Sequence, residues 1–148
     1  MEILVTHKKA RFNFEIGETF DAGIELIGHE VKALRAHQGS LEGAHVSVRG
    51  NEAYIIGMHI PAFQPANTPD TYDPDRNRRL LLNKKEIATL SGSERTKGLT
   101  IVPIMVYNSK RFIKVRLGIG RGKKQYDKRE TIKKRDTKRD IERTLKNE

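Results

Sequence analysis

The 148-residue chain lacks cysteine, and that absence excludes several classes of protein. Without thiols it can form neither a disulfide scaffold nor a thiolate zinc site, and it cannot use a cysteine nucleophile. It also has no run of about 20 apolar residues, the length that a membrane-spanning helix needs. Its first ten residues hold a short apolar stretch and then His7, Lys8 and Lys9, which does not fit a secretory signal. These absences fit a protein of the reducing cytoplasm with no membrane partner.

Acidic residues are too few to balance the basic ones. The chain has 29 lysines and arginines against 19 aspartates and glutamates, so its formal charge is +10. Such an excess favours a polyanionic partner, nucleic acid first. Residues 120–148 hold twelve basic and six acidic side chains but no continuous apolar stripe. They are predicted to form a basic tail that is disordered when free and folds on a polyanion, the plainer alternative being a solvated charged terminus.

Alternation of apolar and polar residues predicts six short strands. They cover residues 11–16, 20–26, 45–49, 52–60, 99–107 and 112–119. The second could instead continue the first after a bend, and Gly23 within it indicates a bulge or a close backbone approach. Gly50 and Asn51 predict a tight turn between the third and fourth strands. In the last strand Lys114 and Arg116 share a face opposite apolar residues. They could extend a basic surface or simply form the solvent-exposed face of a sheet.

Two helices and a long loop interrupt these strands. Residues 29–37 change to a helical period and predict a short helix. Residues 61–79 contain four of the five prolines and predict a long loop, a feature that is usually functional or disordered. Asn83 is a predicted helix N-cap because Glu86 follows three residues later, as in a capping box. Gly92 is expected to end that second helix.

The pattern as a whole predicts a mainly β fold, a small antiparallel OB-like barrel with two or three short helices. The barrel is expected to cover residues 1–119, with residues 120–148 as the tail and with Gly120 and Gly122 as a flexible hinge. A monomer is expected. Five histidines lack the spacing of a metal site, and the acidic residues are scattered singly among basic ones. No metal, cofactor or catalytic residue is therefore assigned.

Charged residues before the second helix are the clearest candidates for RNA contacts. Arg76, Arg78 and Arg79 end the long loop, where arginine can fork onto phosphates or stack on bases. A solvated loop is the alternative for these arginines, and an ordinary charged surface is the alternative for the first helix. The candidates on that first helix are Glu30, Lys32 and Arg35.

Four segments resemble the SmpB family, the tmRNA-binding (SsrA-binding) proteins of trans-translation. The segments, in the family's order and spacing, are AGIELIGHEVKALR (22–35), DPDRNRRLLLNKKEI (73–87), KGLTIVPIMVY (97–107) and GKKQYDKRE (122–130). The resemblance implies an OB-like barrel that binds the tRNA-like domain of tmRNA. It also implies delivery of alanyl-tmRNA, with elongation factor Tu, to a ribosome stalled on a truncated message. The tail would then enter the decoding centre of the small ribosomal subunit and the empty mRNA channel, where it would form a helix.

The resemblance also implies roles for individual residues. The residues matched to tmRNA contacts are Gly28, Glu30, Lys32, Arg35, Leu82 (chosen among residues 80–82) and Lys114. The residues matched to the decoding-centre motif are Gly122, Lys123, Lys124, Tyr126, Asp127, Lys128 and Arg129. Tyr126 stands where a ring is expected to stack on a decoding-site base. Glu30 is expected to contact RNA or orient Lys32 or Arg35 from a surface helix, so that Glu30→Ala weakens tmRNA binding and leaves the fold intact.

Two other functions stay open from the residues themselves. One is an RNA-modifying enzyme, which turnover of an RNA or nucleotide substrate would reveal. The other is a permanent ribosomal protein, which would resist a salt wash that removes a delivery factor.

Overall fold

The computed structural model describes residues 1–123 except residues 65 and 67, and these residues form seven strands and three helices. The strands are β1 (Glu2–Thr6), β2 (Phe14–Ile24), β3 (His45–Arg49), β4 (Glu52–Ile56), β5 (Arg78–Leu81), β6 (Leu99–Ser109) and β7 (Phe112–Gly122). The helices are α1 (Ala10–Asn13), α2 (Gly28–Arg35) and α3 (Lys84–Arg95). The predicted mainly β fold is confirmed. Each helix in this part of the chain is too short or too polar to cross a membrane.

The strands form one antiparallel sheet in the order β1-β6-β7-β2-β5-β4-β3. The sheet curls so that β3 comes within 8 Å of β6 between Cα atoms. No backbone ladder joins β3 to β6 in the described chain, so the OB-like barrel is not fully closed. Helix α3 lies against both of these strands. Its Glu94 carboxylate accepts hydrogen bonds from the Ser47 hydroxyl (2.8 Å) and the Val48 N–H (2.9 Å), which pairs part of an otherwise open strand edge.

The core lies on the inner face of this curled sheet. The buried residues of its two central strands are Phe20, Ala22 and Ile24 of β2 and Ile113, Val115 and Leu117 of β7. They occupy alternate positions because successive side chains of a strand point to opposite faces. Lys114 and Arg116 therefore lie on the outer face, as predicted.

The first part of the chain differs from the predicted strand over residues 11–16. Residues 10–13 form the short helix α1, in which the Asn13 N–H donates to the Lys9 carbonyl at 2.8 Å. β2 then runs from Phe14 to Ile24 as one strand, whose register shifts between Ile16 and Thr19. The prediction of a bent continuation is thus confirmed, and the prediction of a strand that begins at residue 11 is wrong.

Turn and cap residues behave mostly as predicted. Gly50 and Asn51 have φ of 54° and 63°, the left-handed pair that a two-residue hairpin between β3 and β4 requires. The Asn83 Oδ1 accepts from the Glu86 N–H at 2.8 Å, and the Glu86 carboxylate accepts from the Asn83 N–H at 3.1 Å. The predicted capping box is therefore confirmed. Helix α3 nevertheless continues through Gly92 to Arg95, so the predicted end at Gly92 is wrong.

Two strand boundaries also move. β4 ends at Ile56 rather than at residue 60, because Gly57 takes a left-handed φ of 84° and breaks the extended backbone. β7 continues past residue 119 to Gly122, and Gly120 pairs with residues of both β2 and β6. A Cβ at Gly120 would lie 3.0 Å from that of Phe14, so this glycine makes room for a packed ring. The hinge assigned to Gly120 and Gly122 is therefore wrong.

Candidate nucleic-acid interface

A groove of about 300 Å³ lies where helix α2 meets the ends of β2, β5 and β7. We call it the basic groove, because three cationic side chains line it. Its lining includes Gly23, Arg35, Leu81, Arg111, Phe112 and Lys114. It brings together Arg35 and Lys114, which the sequence had suggested separately and which lie 79 positions apart in the chain.

The floor of the basic groove depends on a glycine. The sheet register places Gly23 of β2 directly between Leu81 of β5 and Lys114 of β7. A Cβ at Gly23 would lie 3.2 Å from the Leu81 Cβ, closer than most real contacts of that kind. Of the two alternatives for Gly23, the close approach of neighbouring strands is therefore the correct one. The bulge is not at Gly23, because the register of β2 shifts between Ile16 and Thr19. Its missing side chain makes room for the Leu81 side chain, whose Cβ, Cδ1 and Cγ would lie 3.2, 3.4 and 3.7 Å from a Cβ there.

The cations of the basic groove are not neutralised by carboxylates. Arg35 and Arg111 are exposed and Lys114 is half-buried. Arg35 Nη2 donates to the Arg111 carbonyl at 3.3 Å, which joins α2 to the β6–β7 turn. Within residues 1–123, apart from 65 and 67, no carboxylate oxygen lies within 4.0 Å of these three cations. Their charge is therefore available to an anion.

Arg116, on the same face of β7, is different because it has a carboxylate partner. Its Nε donates to Asp21 Oδ1 at 3.0 Å, and the Tyr107 hydroxyl donates to the same oxygen at 2.8 Å. Burial raises the pKa of Asp21, but these two hydrogen bonds and the nearby positive charges lower it below its ordinary value. A charged Asp21 thus pairs directly with Arg116, whereas Lys114 feels the same carboxylate only from a distance.

Glu30 lies at the centre of a buried ionic cluster beside the basic groove. Its side chain is fully buried, as is that of Arg78. Glu30 Oε2 accepts from Arg78 Nε at 2.8 Å and from Arg76 Nε at 3.0 Å, while Oε1 accepts from the Ile27 N–H at 2.9 Å. The Tyr72 hydroxyl lies 3.0 Å from Glu30 Oε2. The cluster therefore connects α2, the long loop and β5.

The surroundings of Glu30 keep it ionised. Burial by itself raises its pKa, and hydrogen bonds from Arg76, the Ile27 backbone and Arg78 more than reverse this and lower the pKa to about 2. Arg78 also donates to the carbonyls of Met58 (2.7 Å) and Pro74 (3.0 Å), so its guanidinium is held on several sides. A buried charge is tolerated because it is paired in this way.

This cluster corrects the expected positions of two candidates. The expectation that Glu30 stands on an exposed helix face is wrong, because its carboxylate faces inward onto Arg78. The expectation that Arg78 belongs to a loop is wrong as well, since it begins strand β5 with no exposed surface. Arg79 is the next residue of β5, so it does not belong to the loop either. Loss of the Glu30 carboxylate would leave Arg78 buried without its ion-pair partner, so Glu30→Ala is no longer expected to leave the fold intact.

The remaining candidates lie around the basic groove with different exposures. Gly28 and Lys32 are exposed on α2. Arg79 is exposed, with ion pairs to Glu25 (3.3 Å) and Glu52 (3.6 Å). Arg76 retains 32% of its side-chain exposure although it is bonded to Glu30. Leu82 packs partly buried against the core, whereas the neighbouring Leu81 lines the groove and is 48% exposed. The involvement of each in RNA binding stays a prediction.

Sequence reasoning missed several groove residues. They are Gly23 as its floor, together with Leu81, Arg111 and Phe112. Alternation along β7 could have placed Phe112 on the face of Lys114, since the two are two residues apart. Of the decoding-centre candidates, Gly122 ends β7 and Lys123 follows it, its N–H donating to the Asn13 carbonyl at 2.8 Å. The others lie outside the described residues: Lys124, Tyr126, Asp127, Lys128 and Arg129.

A model of the SmpB protein family matches residues 4–147. The chain belongs to the SmpB family. It is 46% identical to the SsrA-binding protein of Elusimicrobium minutum over 145 residues, which span 98% of this chain and 92% of the relative. It is 47% identical to the SsrA-binding protein of Gloeobacter violaceus over 145 residues, which span 98% of this chain and 95% of the relative.

A solved structure of an SmpB-family protein is similar as well. It is described as "tmRNA-SmpB: a journey to the center of the bacterial ribosome". The TM-score is 0.70 at 39% sequence identity, and the match covers 84% of this chain and 87% of the other. The SmpB resemblance of the four sequence segments is thereby confirmed.

Proposed function

We propose that this protein binds the tRNA-like domain of tmRNA and acts in trans-translation, the rescue of stalled ribosomes. The observation that carries the proposal is the basic groove, in which three cations without carboxylate partners line one side of an SmpB-family barrel. Lys/Arg contacts to phosphates supply much of the affinity of a protein for RNA. The relatives named SsrA-binding protein and the tmRNA-SmpB structure support tmRNA as the RNA in question.

The buried Glu30 cluster supports this function indirectly. It fixes α2 against β5 and the long loop, and α2 carries Arg35 on its opposite, exposed side. A phosphate-binding cation contributes most when its position is fixed before the ligand arrives. Glu30 and Arg78 therefore act by positioning the interface, whereas Arg35, Lys114 and the exposed Lys32 contact RNA.

A two-part division of labour is part of this proposal, and the resemblance of residues 122–130 to the SmpB family supports it. The barrel holds tmRNA, which arrives charged with alanine and accompanied by elongation factor Tu. The basic tail acts on the ribosome, with the segment from Gly122 to Arg129 in the decoding centre of the small subunit and the later residues in the empty mRNA channel. The protein acts by binding in this scheme, and its work on the ribosome places it in the cytoplasm.

The body and the tail can be tested separately. A gel shift with the tRNA-like domain of tmRNA should show binding by the full chain and weaker binding by the double variant Arg35→Ala, Lys114→Ala. Lys97→Ala, which removes an exposed cation near the far end of the β6–β7 hairpin, is the matched control and should bind normally. Equal affinities for all three proteins would contradict the assignment of the groove.

The ribosomal role needs a functional assay. The triple change of Asp127, Lys128 and Arg129 to alanine should leave tmRNA affinity near normal and stop alanine incorporation on stalled ribosomes. Tagging of nascent chains at the wild-type rate by this variant would contradict the proposed role of the tail. A protein that remained on ribosomes through a high-salt wash would favour a permanent ribosomal protein instead.

A further inference from the structure

An aromatic ring stands in solvent at the rim of the basic groove. Phe112 is the first residue of β7 and is 70% exposed, the highest exposure of a large hydrophobic residue in the described chain after Met1. It follows a two-residue hairpin turn in which Lys110 takes a left-handed φ of 56°. No stacked or cation–π partner occupies its ring within the described residues. Packing therefore gives no reason for a phenylalanine here.

Three cationic residues line the same groove as the ring. Arg111 precedes it, and Lys114 is two residues on along the same face, at a spacing of roughly 7 Å. Arg35 approaches from α2, where its guanidinium reaches the Arg111 carbonyl. Beyond Lys114, Gly23 has no side chain of its own, and the Leu81 side chain lies close to the position that a Cβ there would take.

We propose that Phe112 is a stacking platform for one unpaired base of the bound RNA, with the flanking phosphates held by Arg35, Arg111 and Lys114. The inference rests on the proposed function, and it adds to it the chemical class of the ligand: an unstacked base in a loop or single-stranded segment. Proteins recognise such bases by stacking them on aromatic side chains beside a positively charged groove.

The arrangement fits a nucleotide better than an apolar peptide. A peptide that covered the ring and Leu81 would also cover three cations and leave them without partners, which costs free energy. A nucleotide presents a flat π face to Phe112 and a charged phosphate to the neighbouring cations. A fully paired RNA duplex would not stack on Phe112, because its bases are already stacked on one another.

Two substitutions at one position separate stacking from apolar bulk. Phe112→Leu keeps an apolar side chain and removes the ring, whereas Phe112→Trp keeps a ring. With the full chain and the tRNA-like domain of tmRNA, Phe112→Leu should bind about 5- to 160-fold more weakly, the range for one stacked base. Phe112→Trp should bind within about twofold of the wild type. Thermal unfolding should be unchanged in both, because the side chain is exposed.

Salt dependence and fluorescence add readouts that a purely structural role would not change. Phe112→Leu should weaken binding equally at every salt concentration, whereas Lys114→Ala should flatten the plot of log affinity against log salt by roughly 0.7–0.9. The chain has no tryptophan, so Phe112→Trp introduces its sole indole. Stacking of a base on that indole should quench its fluorescence when the RNA is added.

The outcomes distinguish this inference from the function on which it rests. If the wild-type chain fails to bind the RNA, the proposed function fails first. If the wild type and Phe112→Leu bind equally, the stacking platform is refuted and the function stands. If Phe112→Trp binds as weakly as Phe112→Leu, or its fluorescence does not respond to bound RNA, stacking is also refuted.

Discussion

Replacing Glu30 by glutamine should destabilise this protein far more than an ordinary charge removal. The change keeps the shape of the side chain and leaves the fully buried Arg78 without its ion-pair partner. The pKa of Glu30 falls from an ordinary 4.5 to about 2 in the folded protein, and that difference corresponds to about 3 kcal/mol of stability at pH 7. Removal of one partner of a buried ion pair costs about 3–5 kcal/mol of stability, so the two arguments agree.

The effect of Glu30→Gln should depend on pH with a defined sign. Because the pKa is depressed on folding, the stabilisation is fully present above pH 4.5 and is lost as the pH falls from 4.5 towards about 2. In urea unfolding at pH 7, the free energy of unfolding of the variant should therefore be about 3 kcal/mol lower than that of the wild type. Its melting temperature should be lower by on the order of 10 °C. The difference from the wild type should shrink steadily below pH 4.5.

Glu25→Gln is the matched control for this experiment. Glu25 also pairs with an arginine, Arg79, at 3.3 Å, but both side chains are about half exposed. Water screens such a pair, so its loss should cost less than about 1 kcal/mol. The account of the buried cluster is refuted if the two variants lose equal stability at pH 7, or if the loss in Glu30→Gln does not change between pH 5 and pH 2.

Three further predictions follow from the fold. Gly23→Val should lower tmRNA affinity in a gel shift, because its side chain occupies the groove floor beside Leu81; unchanged affinity would mean that RNA does not enter there. Asn83→Ala should lower the free energy of unfolding by about 1 kcal/mol, since it removes the bond to the Glu86 N–H, and a loss below about 0.3 kcal/mol would contradict the cap. Truncation after Lys123 should keep both the fold and tmRNA binding. Truncation after Ile119 removes residues paired with β2 and β6, so it should lower the melting temperature. Equal melting temperatures for the two truncated proteins would contradict the extent of β7.

Local signals in the sequence predicted most of the elements that depend on local physics. The Gly50-Asn51 turn and the Asn83 capping box were predictable because neighbouring residues form them. The alternation along β7 and β2 was equally clear, since one face of each strand is buried. The same alternation misled at residues 11–13, where Phe12 fits a strand period although the backbone forms a helical turn.

The parts that could not be predicted depend on contacts between distant residues. Arg78 occupies a buried position of strand β5, and an arginine is buried only when a partner compensates its charge. That partner, Glu30, is 48 positions earlier in the chain, and no local pattern joins the two. The groove likewise needs the register that sets Leu81, Gly23 and Lys114 side by side. The sequence suggested Arg35 and Lys114, but neither Arg111 nor the common floor.

The most direct test of the central claim is RNA capture from cell extract with the full chain, followed by sequencing of the bound RNA. Three proteins should be compared: the wild type, the double variant Arg35→Ala, Lys114→Ala, and Lys97→Ala. We predict that tmRNA is the most enriched RNA with the wild type and with Lys97→Ala, and that this enrichment is lost in the double variant. Enrichment of other RNAs in place of tmRNA, or undiminished tmRNA with the double variant, would contradict the account.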